Sequence, residues 1–221
     1  SNREDIIEWW LDNALNHHKT EKIGVWDLGM SSACRNHLKR KYKQVWFSEV
    51  IDGHIPLHEK KIGWYYKIHC VKESPEQSVV WVDSDCQILT DISDIFHLVP
   101  EGKIGLTKDW GRSNWWATGV IVVNDRPSLL DTWHERLWTP DEYGELIRGD
   151  QEALNDLIGT GEHEQIVELP QEYQWLRASL NRGIKSDNVK VIHWTGAPGK
   201  KFINEVLMKG GKYTGQQVDT L

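Results

Sequence analysis

The feature that most constrains this chain is the run from Ser78 to Asp85, SVVWVDSD, in which apolar residues stop at two aspartates. The run is apolar at consecutive positions, so both faces of a strand formed here are apolar, as in an interior parallel strand. Alternate strand residues point the same way, so Asp83 and Asp85 can face one site. Ligands of open α/β sheets bind outside the carboxyl ends of the strands. We therefore expect a buried strand that delivers two carboxylates to a ligand site.

Strand and helix patterns alternate along the 221 residues, which predicts an α/β fold with a mainly parallel central sheet flanked by helices. The predicted helices cover about 2–18, 31–41 (with Ser31 as a cap), 64–71, 127–138, 151–158 and 202–208, with a short turn or helix over 91–96. The other predicted strands are 23–28, 43–47, 103–107, 117–123, 164–169 and 189–194.

The composition limits the kinds of partner and the environment that we expect for this chain. The net charge of −7 disfavours nucleic acid, which is bound through clustered Lys and Arg. No stretch reaches the roughly 20 apolar residues of a membrane helix, so we expect no membrane segment in this chain. The three cysteines lack metal-ligand spacing and are interpreted as buried thiols. A cytoplasmic location is the simplest interpretation, and a lumenal domain separated from its anchor is the alternative.

A divalent cation would explain the two aspartates, because adjacent carboxylates repel one another without one. Hard oxygen ligands suit Mn²⁺ or Mg²⁺. The alternative is a pair of aspartates that merely ends a strand at a turn. His193, at the end of the strand 189–194, is placed to add a nitrogen ligand, and the alternative for it is a core histidine. Gly196 and Lys200 follow in a loop whose amides and charge suit an anion.

Two further segments are candidates for the same site. Asn114 precedes a strand entered through Thr118 and Gly119, and glycine permits close approach of a ligand to the backbone. The alternative is a β-bulge. Asp150 and Gln151 open a helix, where an aspartate can simply be the N-cap.

The order of these motifs resembles the retaining glycosyltransferases of family 8, the glycogenin and galactosyltransferase type. The motifs are the strand with DSD, then TGVIVVN, DQxxLN, LPxxYxW and IHWxGxxGK, and they cover about residues 23–202. The family's first strand, which helps to seat the uracil, normally precedes the opening helix, and no strand is seen before Asn2. The resemblance implies a GT-A fold with a small antiparallel insertion, in one domain whose donor-binding half is about 1–108 and whose acceptor half is about 109–221.

The resemblance implies a role for each matching residue. Asp83, Asp85 and His193 would hold the metal, with Asp83 also contacting the donor, and Asp150 and Gln151 would lie at the reacting sugar as the catalytic pair. The implied donor-binding residues are Lys67, Asp83, Asn114, Thr118, Gly119, Gly196 and Lys200. Because aromatic planes stack on sugar rings, Trp115, Trp116 and Trp194 are the residues expected to contact donor or acceptor sugar.

The implied reaction moves a hexose from a nucleotide sugar, UDP-glucose or UDP-galactose, to a glycan or another hydroxyl acceptor, with retention favoured. An inverting enzyme would need a carboxylate base, and Asp109 and Asp141 are the candidates. Two alternatives remain open at this point. One is a phosphohydrolase of the haloacid-dehalogenase type, which also places D-x-D after an apolar strand, and the other is a catalytically inactive carbohydrate-binding module.

Overall fold

The computed structural model describes residues 4–19, 21–49, 62–112, 115–181 and 188–212. The helices are α1 (Glu4–His17), α2 (Ser32–Lys41), α3 (Ile62–Lys72), α4 (Leu129–Trp138), α5 (Asp150–Ile158), α6 (Arg177–Asn181) and α7 (Gly196–Glu205). The strands are β1 (Gly24–Val25), β2 (Trp46–Phe47), β3 (Ser78–Val82), β4 (Cys86–Ile88), β5 (Lys103–Asp109), β6 (Trp115–Asn124), β7 (Ile166–Glu168), β8 (Trp175–Leu176) and β9 (Val191–His193). Short 3-10 helices cover Ser93–Leu98, Gln171–Tyr173 and Leu207–Lys209.

The largest sheet has the strand order β3-β6-β5-β7. Strand β6 is antiparallel to both β3 and β5, and β7 is parallel to β5. It follows that β3, β5 and β7 all run in one direction and β6 alone is reversed. This arrangement confirms the predicted α/β class with a mainly parallel sheet.

Two smaller sheets accompany it. Strands β1 and β2 pair in parallel. In the sheet β4-β9-β8, β4 is antiparallel to β9 and β8 is parallel to it. Strands β4 and β8 were not predicted from the sequence, because each has only two or three residues and shows no periodic pattern of its own.

Several boundaries differ from the sequence prediction, and three of the differences have a clear local reason. Strand β3 ends at Val82 rather than Asp85, because the Cys86 amide donates to the Asp83 carbonyl (2.9 Å) and closes a turn. Helix α5 begins at Asp150 with Gly149 as its N-cap, so Asp150 itself is helical. Helix α7 begins at Gly196, where a loop was expected, and it ends before Met208.

Helix α1 follows the predicted pattern closely. Ile6, Trp10, Leu11 and Ala14 are buried at helical spacing, and acidic residues occupy the first turn, where they complement the helix dipole. Ser31 caps α2 as predicted, since its hydroxyl accepts the Cys34 amide. No helix in the described part of the chain is long and apolar enough to cross a membrane.

A cluster of buried apolar side chains from α3, α4, α5, β5 and β6 connects the fold to the site. It contains Trp133 of α4, which is fully buried, and its indole N–H donates to the Asp150 carbonyl (2.8 Å). Helix α4 packs against both α3 and α5, which carry Lys67 and Asp150. The cluster therefore fixes the distance between the two helices that supply these side chains.

We expect Trp133→Ala to lower the free energy of unfolding by about 3–5 kcal/mol, because it leaves a cavity of indole size. Trp133→Phe is the matched control, since it keeps most of the packing and loses mainly the hydrogen bond, worth about 1 kcal/mol. Urea unfolding of both variants measures the difference. Equal destabilisation by the two changes would contradict the assigned packing role.

Candidate functional site

An open cleft with a volume of about 1,740 Å³ lies along the carboxyl ends of β1 and β3. Its walls include residues from α1, α3, β3, the β3–β4 turn, α5 and the start of α7. Most of the predicted site residues line it, although they come from distant parts of the sequence. These residues are Lys67, Asp83, Asp85, Thr118, Asp150, Gln151, His193, Gly196 and Lys200.

Lys67 lies at the centre of one side of the cleft and is 3% exposed. Its Nζ lies 3.0 Å from the Asp83 carboxylate and 2.8 Å from Asp150 Oδ2, and it donates to the Thr118 carbonyl at 2.9 Å. Burial on its own lowers the pKa of Lys67, but the charges of Asp150 and Asp83 outweigh it and hold the pKa above the usual lysine value. Lys67 is therefore a fixed cation that connects α3, the end of β3, β6 and α5.

Asp85 lies on the other side of the cleft wall from Lys67, where the candidate metal ligands are. Its carboxylate lies 3.2 Å from His193 Nε2 and 2.6 Å from Lys200 Nζ. Burial raises the pKa of Asp85, but His193 and Lys200 together lower it below the usual range. Asp83 is 3.9 Å from the same histidine nitrogen. The structure thus brings Asp85 and His193 together, with Asp83 farther off and paired with Lys67. The two aspartates lie in a turn rather than on one strand face.

The position of His193 depends on Gly119, which lies opposite it on β6. A Cβ added to Gly119 would stand 2.2 Å from His193 Nδ1, so only glycine fits here. Gln174, buried at 1% exposure, lies beside both residues. Its carbonyl accepts the Val120 amide (2.8 Å), and its amide nitrogen is 3.2 Å from His193 Nδ1. Sequence analysis missed Gln174, because an isolated glutamine in LPQEYQW carries no signal of its role.

The donor set fits a hard divalent cation, since it combines carboxylate oxygens with one imidazole nitrogen at a cleft wall. Cys86 Sγ also lies within 4.8 Å of ligand atoms of Asp85 and His193. Burial raises the pKa of the Cys86 thiol well above its ordinary value. Sulfur is also a softer donor than the carboxylate oxygens that Mn²⁺ and Mg²⁺ prefer. Asp85 and His193, with Asp83 nearby, are therefore the candidate ligands for such an ion.

The start of α7 faces the same cleft. Gly196 has a positive φ of 75°, and Gly199 approaches the Trp194 carbonyl so closely that an added Cβ would stand 2.2 Å from it. Helix N-termini with free amides favour anions. Gly196 therefore begins a helix, and Lys200 places a cation next to Asp85. Both features suit the anion site that the sequence predicted here.

Asp150 and Gln151 occupy the wall opposite α7. The Gln151 side-chain amide donates to Asp109 Oδ2 (3.1 Å), and Asp109 Oδ1 accepts the Gly111 amide (2.9 Å). Both carboxylate oxygens of Asp109 are thus engaged within the cleft wall. Asp141, in contrast, lies in an exposed turn, where it accepts amides of its own loop, and it does not line the cleft. Of the two candidate bases for an inverting enzyme, only Asp109 therefore lines the cleft.

Two of the predicted sugar-stacking tryptophans are in the core. Trp194 is fully buried and stacks on Phe202 with ring centroids 4.5 Å apart. Trp116 is 3% exposed and carries Lys108 Nζ over its ring at 3.2 Å. Neither face is available to a ligand, so these two predictions are wrong. Asn114 lies outside the described residues.

Several tryptophans remain accessible near the site, among them Trp115 and Trp64. Trp115 is partly buried and lines a shallow pocket with Arg112, Arg148 and Glu152. Trp64 on α3 is 51% exposed, lines the main cleft and lies against Gly149, the residue before Asp150. Sequence analysis missed Trp64, because a tryptophan at helical spacing is more often in the core.

Comparison with known proteins gives related chains at low identity. No protein-family model matches the chain. It is 24% identical over 200 residues to glycogenin-1 of Mus musculus, which covers 84% of this chain and 58% of the relative. Glycogenin-1 of Homo sapiens matches with the same identity, covering 84% of this chain and 55% of that protein. The chain therefore spans a little over half the length of the curated relatives it matches.

Solved structures show the same fold. The galactosyltransferase LgtC, in complex with donor and acceptor sugar analogues, superposes with a TM-score of 0.70 at 15% identity, covering 98% of this chain and 95% of that one. The glycosyltransferase GlyE of Streptococcus pneumoniae has a TM-score of 0.66 at 16% identity, covering 96% and 62%. Mouse xyloside xylosyltransferase 1 has a TM-score of 0.59 at 15% identity, covering 86% and 91%. The chain has the GT-A fold, and its resemblance to family 8 is confirmed.

We expect Gly119→Ala to lower the free energy of unfolding by about 1–3 kcal/mol, because the new methyl group overlaps the His193 ring. Gly63→Ala is the control, since an added Cβ there meets nothing within 4 Å and the residue lies on the exposed side of α3. Chemical denaturation measures both. A Gly119→Ala protein as stable as Gly63→Ala would show that His193 is not packed against β6.

Proposed function

We propose that this chain is a metal-dependent glycosyltransferase that moves a hexose from a nucleoside-diphosphate sugar to a hydroxyl acceptor. One observation carries the proposal. Asp85 and His193 lie together in the cleft, with Asp83 3.9 Å from the same histidine nitrogen and Lys200 2.6 Å from Asp85 on the side of the α7 start. A cation site beside an anion site is what a diphosphate group requires, and the GT-A fold supplies the context.

The donor we propose is a UDP-sugar, UDP-glucose or UDP-galactose, by likeness to glycogenin-1 and to the galactosyltransferase LgtC. The diphosphate would lie between the three metal ligands and the start of α7. There the backbone amides and Lys200 meet its negative charge. The sugar would then point towards Lys67, Asp150 and Gln151, which form the adjacent wall of the cleft.

A bound Mn²⁺ or Mg²⁺ would neutralise charge on the diphosphate as it becomes the leaving group. The residues of the chain do the remaining work. Lys200, now paired with Asp85, is placed to turn to the phosphate and stabilise its developing charge. Asp150, held by Lys67, offers a fixed negative charge to the cationic sugar ring. Gln151 is held by Asp109 and is placed to position the sugar.

We propose that the reaction retains the anomeric configuration. An inverting enzyme needs a carboxylate that is free to take the acceptor's proton. Asp109 is the candidate that lines the cleft, and its carboxylate holds the Gly111 amide and the Gln151 side chain in place. In a front-face retaining reaction the leaving phosphate takes that proton, so no separate base is required. The acceptor we propose is a carbohydrate or another hydroxyl compound.

Titration calorimetry of UDP with and without Mn²⁺ is the direct test. We expect wild type to bind UDP in a metal-dependent way and Asp85→Asn to lose about 100-fold or more in metal-dependent affinity, because it replaces a charged ligand. Asp141→Asn is the control, since it removes the same charge from an exposed turn outside the cleft. A screen of UDP-sugar hydrolysis would then identify the donor.

Other outcomes of that test are equally decisive. Binding of GDP in place of UDP would support the proposed transferase activity and show that the donor carries guanine rather than uracil. Nucleotide binding that is unchanged in Asp85→Asn or without metal would contradict the proposed site. An absence of binding for every nucleotide, together with phosphatase activity, would favour a phosphohydrolase.

Trp64 is the aromatic residue best placed to contact a sugar, since it is half exposed in the cleft beside Asp150. We expect Trp64→Ala to weaken UDP-sugar binding by about 1 kcal/mol, or roughly fivefold, and to leave UDP binding unchanged. Tyr143→Ala, at a residue that is 82% exposed and outside the cleft, is the aromatic control. An equal loss for UDP and UDP-sugar would place Trp64 at the nucleotide instead.

A further inference from the structure

Three metal-ligating side chains that the proposed reaction does not use meet on the side of the cleft where β1 begins. His18 directly follows α1, Glu21 precedes β1 and Asp91 follows β4. One ligand atom from each lies within 4.8 Å of the ligand atoms of the other two. Asp85 precedes β4, whereas Asp91 lies beyond the other end of that strand. This histidine–carboxylate cluster is therefore separate from the candidate donor site.

The imidazole of His18 is buried at the centre of the cluster. The residue is 7% exposed, and no described residue hydrogen-bonds to its Nε2. Its Nδ1 lies 3.6 Å from Glu21 Oε2 and 3.6 Å from Asp91 Oδ1, and both distances are longer than a hydrogen bond. Buried polar atoms of side chains are normally satisfied. A buried ring that turns one nitrogen towards two carboxylates, without bonding to either, indicates a third group between them.

The spacing of the ligand atoms matches a metal ion. A tetrahedral Zn²⁺ holds nitrogen and oxygen ligands at about 2.0–2.2 Å, so any two of its ligand atoms stand about 3.3–3.6 Å apart. A direct hydrogen bond would instead bring His18 Nδ1 to about 2.7–3.2 Å from a carboxylate oxygen. The observed 3.6 Å to both oxygens agrees with the first arrangement. The cluster therefore has the dimensions of a metal site rather than of a closed ion pair.

Backbone contacts hold two of these ligands in place before any ion binds. The His18 amide donates to the Ala14 carbonyl (2.9 Å) and continues the hydrogen bonding of α1. The Ser93 amide donates to Asp91 Oδ1 (2.7 Å), and hydrogen bonds from Ser93 lower the pKa of Asp91 below its usual value. Asp91 is therefore an ionised carboxylate whose orientation is fixed by a neighbour, as is common for metal ligands.

Asn13 fixes the distance between the two elements that precede His18 and Asp91. Its side-chain amide donates to the Ile88 carbonyl (2.8 Å), and its side-chain carbonyl accepts the Ile88 amide (2.6 Å). Asn13 thereby joins α1 to the last residue of β4. His18 directly follows this helix, and Asp91 follows this strand. The cluster therefore needs little rearrangement to bind an ion, which lowers the cost of binding.

The charges around the cluster also suit a divalent cation. Its two carboxylates carry negative charge that a neutral imidazole does not balance. Lys22, the cation next to Glu21 in the sequence, is engaged by Glu76 at 2.7 Å. Burial lowers the pKa of His17, so this second histidine adds little positive charge at neutral pH. An imidazole ligand favours zinc over magnesium or calcium, which prefer sites made of oxygen atoms.

We propose that His18 Nδ1, Glu21 and Asp91 bind a divalent transition-metal ion, with Zn²⁺ as the best match. Three protein ligands leave a fourth tetrahedral position for water. The cleft, which His18 and Glu21 line, gives the ion a path to the site. This ion is additional to the Mn²⁺ or Mg²⁺ proposed for the donor diphosphate. It would link the end of α1, the start of β1 and the segment after β4, and so stabilise the cleft away from the reacting groups.

Calorimetric titration of Zn²⁺ into the Asp85→Asn protein is the test, because this parent lacks a ligand of the other metal site. We expect the parent to bind Zn²⁺ and the added change Asp91→Asn to weaken that binding by about 100-fold or more, since a charged ligand is lost. The Asp91 side chain is 59% exposed, and asparagine can still accept the Ser93 amide, so we expect this variant to fold. Asp141→Asn in the same parent is the matched control, because Asp141 is another exposed aspartate that accepts amides of its own turn.

NMR of the histidine ring nitrogens in the same proteins locates the ion. We expect Zn²⁺ to shift the His18 signals in the Asp85→Asn parent and in the Asp141→Asn control. We expect no shift at the same Zn²⁺ concentration once Asp91→Asn is added. These signals report the ligand itself, so they separate metal binding at the cluster from binding at any other histidine.

Each alternative result overturns the proposal. An Asp85→Asn parent that binds no Zn²⁺ would exclude the site. Zn²⁺ binding that Asp91→Asn leaves unchanged, or that does not move the His18 signals, would place the ion elsewhere. Protonation of His18 that depends on Asp91, without any binding of Zn²⁺, would identify the cluster as an ion pair only. The parent already lacks a ligand of the proposed donor site, so a failure of nucleotide binding would leave these readouts unaffected.

Discussion

The buried ammonium group of Lys67 is the interaction on which the rest of the site depends. From its position on α3, it contacts three acceptors at distances of 2.8–3.0 Å. These are the carboxylate of Asp83 after β3, the carboxylate of Asp150 on α5 and the Thr118 carbonyl on β6. An isolated charge in this position would be strongly unfavourable, and loss of one partner of a buried pair typically costs about 3–5 kcal/mol. The cation therefore holds Asp83 and Asp150 at opposite ends of one short bridge. It thereby sets the relative positions of the two walls of the cleft that carry Asp83 and Asp150.

Close backbone packing positions His193, on the side of the site that carries the candidate metal ligands. His193 ends a strand that pairs with β4, and β4 directly follows the turn that carries Asp83 and Asp85. Its imidazole lies over Gly119, where no side chain could fit, and beside Gln174. The ligands of the candidate metal are thus brought together by two short strands and one glycine. Such an arrangement is rigid before any ligand binds, which favours electrostatic stabilisation of a leaving group.

The cleft lies along the same sheet edge that carries the candidate site. Ligand sites of α/β folds lie at the carboxyl ends of strands, and here β1 and β3 both end at the cleft. The open space between them continues from that site along the length of β3.

The sequence by itself determined the α/β class and most helices and strands, and it predicted most of the polar residues that line the cleft. These follow from local causes, namely the apolar run before Asp83, the helical spacing of α1 and the order of polar motifs after strands. Only the tertiary structure decided which tryptophans are accessible. Trp116 and Trp194 have the same side chain as Trp64, but the first two fill core clusters. It also decided the role of Gln174 beside His193 and the position of Asp141 away from the cleft. Exposure and strand pairing depend on contacts between residues far apart in the chain, and no local pattern encodes those contacts.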